Sequence, residues 1–172
     1  MKLESYIRNI PDFPKKGIQF KDITTLLNNG QAFKAAIDEL AETLKGQKID
    51  FVVAAEARGF ILGGALSYKL GCGFVPVRKP GKLPYKTHSH SYSLEYGKNE
   101  LHIHEDALPK GSKVLILDDL LATGGTAEAL VNLVKKFEAD IVGIAFLIEL
   151  TELKGKEKFK DYPVYSLIKF DI

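Results

Sequence analysis

Leu115-Ile116-Leu117-Asp118-Asp119-Leu120-Leu121-Ala122-Thr123-Gly124-Gly125-Thr126 reads as a buried strand, a tight loop of small residues and the start of a helix. Val114 to Leu117 is the most apolar strand of the chain, and it delivers two adjacent carboxylates at its C-terminal end. In open α/β sheets, ligands bind at that end of the strands. The loop Ala122 to Thr126 presents backbone N–H groups, two hydroxyls and a helix N-terminus, a set that suits a phosphate dianion. Gly124 and Gly125 allow the close backbone approach that a side chain would block. Like charges repel, so Asp118 and Asp119 suit sugar hydroxyls, a divalent metal or a developing positive charge rather than the phosphate itself.

Outward from this stretch, strands and helices alternate. Phe33, Ala36, Ile37, Leu40 and Leu44 share one helical face. Ile49 to Ala54 is a strand apolar on both faces, as in a covered parallel sheet. Phe60 to Leu70 reads as a helix closed by Gly71, and Phe74 to Arg78 as a strand. Lys79 to His90 reads as a long loop, uncommon in a compact domain unless functional. Tyr92–Glu95 and Glu100–Ile103 predict a hairpin turning at Gly97-Lys98-Asn99. A helix from about Thr126 and strands at Ile141–Ile148 and Val164–Phe170 complete the pattern. The first thirty residues, broken by Pro11, Pro14, Gly17 and Gly30, predict no regular element. The fold class is α/β, with a central, mainly parallel sheet flanked by helices.

Composition narrows the class. The 172 residues are 45% hydrophobic and 27% charged, enough for one ordinary core. Net charge is +2, from 24 basic and 22 acidic residues, which argues against a nucleic-acid partner. No apolar run approaches the roughly 20 residues of a membrane helix. The N-terminus has no signal-peptide pattern, and a single cysteine, Cys72, fits a reducing compartment. The expected address is the cytoplasm. A P-loop and a dinucleotide fingerprint are both absent from the sequence. His88/His90 and His102/His104 lack the companion ligands of a zinc site. Lys154 to Lys158 reads as a solvated charge run.

The Leu115–Thr126 stretch resembles the PRPP-binding motif of the type I phosphoribosyltransferases, PRPP being phosphoribosyl pyrophosphate. The resemblance assigns ribose hydroxyls to Asp118 and Asp119, and the 5′-phosphate to Ala122, Thr123, Gly124, Gly125 and Thr126. Three further segments resemble the adenine-specific branch of that family: Ile10–Thr24, Glu56–Phe60, and Arg78–Pro84 continuing to Tyr92–Lys98. With Leu147–Leu150 they cover essentially the whole chain in order. The resemblance implies one domain over residues 1–172, with a base-binding hood at 1–30 and a flexible loop and hairpin at 79–104.

It also implies roles. Gln19, Phe20 and Lys21 receive adenine, Phe20 through its flat face and its neighbours through their backbone. Lys21 stands where many relatives carry arginine. Glu56, Ala57, Arg58, Arg78, Lys79 and Lys82 face pyrophosphate, Arg58 also as a catalytic residue. Glu95 is the acid/base group at N7 of the purine. Mg²⁺ is implied as cofactor, carried mainly by PRPP, with no dedicated protein ligand set. Adenine and PRPP are the implied substrates and a homodimer the implied assembly. Two other readings stay open at this stage: a transferase for xanthine, hypoxanthine or guanine, and a non-catalytic PRPP-sensing regulator.

Overall fold

The computed structural model describes residues 1–94 and 97–172. Five strands form one parallel sheet: β3 (Phe51–Ala55), β4 (Gly73–Val77), β7 (Lys113–Leu121), β8 (Asp140–Leu150) and β9 (Val164–Phe170), in the spatial order β4-β3-β7-β8-β9. Alternate residues of β7 explain why the sheet is covered on both sides. Val114 and Ile116 enter one apolar cluster, with Leu130 and Val134 of α4 (Gly125–Lys135). Leu115 and Leu117 enter the other, with Leu40 of α2 (Gly30–Thr43) and Leu62 and Leu66 of α3 (Arg58–Leu70). A strand with both faces apolar can only be stable between two helical layers. Leu115 is fully buried, and Leu115→Ala at such a site costs about 2–5 kcal/mol.

The helices end where local chemistry ends them. Gly71 closes α3 in the left-handed region, with φ 70°. Asn29 caps α2, its Oδ1 accepting from the Ala32 N–H at 3.0 Å. By contrast α3 and α4 have no capping side chain, so their first N–H groups stay available for a ligand.

Two regions differ from the sequence expectation. The first thirty residues hold a two-stranded antiparallel ribbon, β1 (Arg8–Pro11) with β2 (Gln19–Asp22), and a short helix α1 (Thr24–Leu27). Pro11 ends β1, and Pro14 and Gly17 sit between the strands, which obscures their period. The hairpin is also longer than expected. β5 (Thr87–Leu94) pairs with β6 (Gly97–His104), so Thr87 to His90 is strand rather than loop. Gly97, Lys98 and Asn99 pair with Leu94, Ser93 and Tyr92 instead of turning.

No helix among the described residues is long and apolar enough to cross a membrane.

Candidate active site

The chain leaves β3 toward β4 on one side, and β7 toward β8 and β9 on the other. The strand order therefore reverses between β3 and β7, and a crevice opens there at their C-terminal ends. Residues from both strands meet across it. Arg58, at the start of the helix after β3, places its Nε 2.8 Å from Asp119 Oδ2 on β7. Its guanidinium carbon also lies 5.4 Å from the centroid of the Phe20 ring in the ribbon. Phe13 packs edge-on against Phe20, with centroids 5.1 Å apart. One arginine thus touches both the expected base platform and an expected ribose acid.

The two acids lie inside β7, which continues to Leu121, rather than at its end. Asp118 pairs in register with Phe146, and Asp119 is buried. Asp118 Oδ1 accepts from the Asp119 N–H at 2.9 Å. A Cβ added to Gly59 would lie 3.3 Å from that same oxygen, so the first turn of α3 meets both acids. Burial, and then repulsion from Asp119, push the Asp118 carboxyl well above the usual carboxylate range. This is the expected behaviour of a carboxylate removed from water beside a like charge.

Beyond β7, Ala122, Thr123, Gly124, Gly125 and Thr126 line a cavity of about 90 Å³ with Leu120, Leu121, Ala127 and Phe146. Gly124 has φ 90° and stands at the N-cap of α4. A helix start with a loop of this kind suits an anion.

Glu56, at the end of β3, accepts from Arg78 Nε at 3.1 Å and from the Lys79 N–H at 2.9 Å. The Lys79 N–H and the Arg78 charge hold its carboxyl below the usual range against the opposing effect of burial. Glu56 thereby orders two expected pyrophosphate cations. The Glu56–Ala57 peptide is cis, a feature without a sequence signal. Lys82 stands exposed in the loop between β4 and β5. Glu95 lies outside the described residues.

In the ribbon, the side chains of Gln19 and Lys21 are both engaged by Asn9, at 2.7 and 2.8 Å. β2 pairs with β1 along one edge only, which leaves its other edge for backbone recognition. Asp22, not singled out from sequence, anchors the ribbon. It accepts from Arg8 at 2.6 and 2.9 Å, and from the Thr24 N–H and hydroxyl at 2.9 and 2.7 Å. The signal was an Asp followed two residues later by Thr, a local side-chain turn.

The histidines do not converge. His88 and His90 meet Phe137 and Asn132, while His102 meets Thr87 and Glu100, and His104 meets Tyr85. Among the described residues, no group of three His, Cys, Asp or Glu side chains could hold a metal. A separate open cavity of about 550 Å³, lined in part by Asp50, Cys72 and Lys110, lies at the opposite edge of the sheet, among the N-terminal ends of β3, β4 and β7.

This constellation is that of a class of nucleotide-forming transferases, and comparison agrees. The phosphoribosyl transferase domain family matches residues 23–172, and the chain belongs to the phosphoribosyltransferases, in their adenine phosphoribosyltransferase branch. The adenine phosphoribosyltransferase of Brachyspira hyodysenteriae is 60% identical over 99% of this chain and all of the relative. The crystal structure of adenine phosphoribosyltransferase from Thermoanaerobacter pseudethanolicus superposes with a TM-score of 0.95 at 54% identity, covering 98% of each chain. That of the Saccharomyces cerevisiae enzyme, complexed with an imino-altritol bisphosphate and adenine, superposes at 0.90 with 41% identity, covering 96% of each chain.

Proposed function

We propose that the chain transfers the phosphoribosyl group of PRPP to N9 of adenine, releasing pyrophosphate and forming AMP for purine salvage. The observation that carries this reading is Arg58, which bridges Phe20 and Asp119 across the strand-order reversal. Base, ribose and leaving group would all converge on that point.

The 5′-phosphate sits in the Ala122–Thr126 cavity, and Asp118 and Asp119 take the ribose hydroxyls. These contacts hold C1′ in line between the departing and arriving groups. The bond from C1′ to pyrophosphate oxygen breaks as positive charge grows on the ribose, which the carboxylates favour. Arg58, Arg78, Lys79 and Lys82 stabilise the departing pyrophosphate, with Glu56 and Ala57 shaping that side of the site. Adenine lies on Phe20, its amine edge against the backbone at Gln19 and Lys21. Glu95 stabilises the N7 proton, or removes it, as the N9 lone pair attacks C1′.

Mg²⁺ enters with PRPP. The donor set fits a cation of this kind, held mainly by substrate phosphate oxygens and water, because among the described residues no three His, Cys, Asp or Glu side chains group to hold a metal, and the crevice offers the Asp118–Asp119 pair. When bound, it neutralises charge on the diphosphate. The reading carries with it a single domain with a hood and a flexible loop, a cytoplasmic address and a homodimer.

The test is AMP formation from adenine, PRPP and Mg²⁺, with guanine, hypoxanthine and xanthine assayed in parallel. Faster turnover of any other base would move the assignment to that base. Absence of any turnover beside tight PRPP binding would favour a sensor. Phe20→Ala should raise the adenine KM by roughly 5- to 150-fold, the value of one stacked aromatic contact. Equal effects on both substrates would return Phe20 to the hydrophobic core.

A further inference from the structure

The charged residues of the run Lys154 to Lys158 are exposed, as expected of a solvated charge run, but the run is folded. It follows the short turn Thr151–Leu153 and forms most of a second, Gly155–Phe159, that packs against the loop Ala122–Thr126. Gly155 is buried, and Phe159 is only 3% exposed. Gly155 and the loop approach backbone to backbone. A Cβ added at Gly155 would collide with the Ala122 carbonyl oxygen and come within 2.9 Å of Leu121 Cδ1 and 3.1 Å of the Thr123 carbonyl carbon. The approach is reciprocal, since a Cβ at Gly124 would meet Gly155 O at 3.1 Å, Phe159 Cε2 at 3.2 Å and Lys158 Cδ at 3.3 Å. Neither Gly155 nor Phe159 lines the phosphate cavity. The turn therefore presses on the back of the loop.

We infer that Gly155 is a positioning residue for the 5′-phosphate: its missing side chain lets the Gly155–Phe159 turn seat against the loop and hold the loop N–H groups at phosphate spacing. The inference rests on the phosphoribosyl reading of that loop. Gly155 does not adopt the left-handed conformation that reserves a position for glycine. Alanine is therefore permitted by its own backbone, and Gly155→Ala acts through the contact alone. The nearest atoms are main chain, which cannot rotate aside as a side-chain tip can. The loop must shift, and donors aimed at one phosphate tolerate little shift.

The experiment compares wild type with Gly155→Ala in three measurements: KM for PRPP, KM for adenine, and the dissociation constant of ribose 5-phosphate measured without adenine. Expected is a rise of about tenfold or more in both the PRPP KM and the ribose 5-phosphate constant, with the adenine KM within about twofold. Loss of affinity for ribose 5-phosphate and adenine alike would mean general disorder of the fold and would overturn the inference, as would a folded variant with unchanged PRPP KM. Should Gly155→Ala not accumulate as folded protein, Phe159→Leu keeps the apolar fill and removes the ring edge beneath Gly124. It should raise the same two constants about threefold, and no change would overturn the inference. Ribose 5-phosphate binding does not require turnover. A wild type that binds ribose 5-phosphate but forms no AMP would count against the proposed reaction, while the Gly155 comparison would still be decided.

Discussion

The two sides of the crevice proposed to bind anions are built differently. On the 5′-phosphate side, backbone N–H groups at the start of α4 surround a cavity of about 90 Å³, backed by the buried Gly155 and Phe159. On the pyrophosphate side the charge comes from long side chains, Arg58, Arg78, Lys79 and Lys82, and the last two stand exposed. The difference follows the chemistry proposed for each. The 5′-phosphate is present in both substrate and product and needs a fixed mould. Pyrophosphate must be stabilised as it forms and then let go, which suits cations open to solvent, as Lys79 and Lys82 are.

This contrast can be broken at several points. Arg58→Leu should lower kcat by about 10²–10³-fold, the usual effect of removing one electrostatic contact made in the transition state, with a smaller change in the PRPP KM. A steady-state assay that finds kcat near wild type would remove Arg58 from the leaving-group side. Thr126→Val should do the opposite, raising the PRPP KM roughly 10- to 150-fold, since a hydrogen bond to a charged group contributes about 1.5–3 kcal/mol. An effect confined to kcat would contradict a fixed mould.

Limited trypsin digestion probes the lysine-bearing side without mutation. The Lys79–Lys86 stretch should be cut in the free protein and protected by PRPP with Mg²⁺; the Ala122–Thr126 region carries no lysine or arginine, so new fragments report on the Lys79–Lys86 loop and not on it. Cleavage that ignores ligand would deny the loop its closing role.

The smallest effect concerns the hood. Thr24, followed by Arg8, holds the Asp22 carboxyl down to about 2 from its ordinary 3.8. A depressed acid stabilises the fold above its unfolded value and loses that contribution as pH falls through its folded value. Stability from Asp22 should thus be present above about pH 4 and fade toward pH 2. Asp22→Asn should flatten the Tm profile across that window. An unchanged profile would mean the ribbon is anchored elsewhere.

The phosphate loop was legible because its signal is contiguous: apolar strand, acids, small residues and helix follow one another between Leu115 and Thr126. The helix α2 and the stop at Gly71 were legible for the same local reason. What escaped is non-local or unpatterned. Thr87 to His90 is Thr-His-Ser-His, polar on both faces, so it carries no two-residue alternation to mark a strand. The burial of Asp118 depends on the first turn of α3, far away in the chain. The seating of Gly155 on the loop depends on two glycines whose contact no spacing rule connects. The side of the site built from separate segments, Glu56 with Arg78 and Lys79, needed the resemblance to be grouped at all.

One consequence lies in the ribbon. Gln19 and Lys21 spend their side chains on Asn9, so on the proposed reading the adenine edge is left to the main chain of β2. Main-chain groups are shared by every residue type except proline, which lacks the N–H. A drug-like adenine mimic anchored to that edge would offer few single-codon routes to resistance, because among substitutions at Gln19 or Lys21 only proline deletes a main-chain donor, and it does so at the cost of the ribbon itself. Escape would instead have to come through Phe20, the ribbon's anchor at Asp22, or changes that distort the whole hood and with it the native substrate.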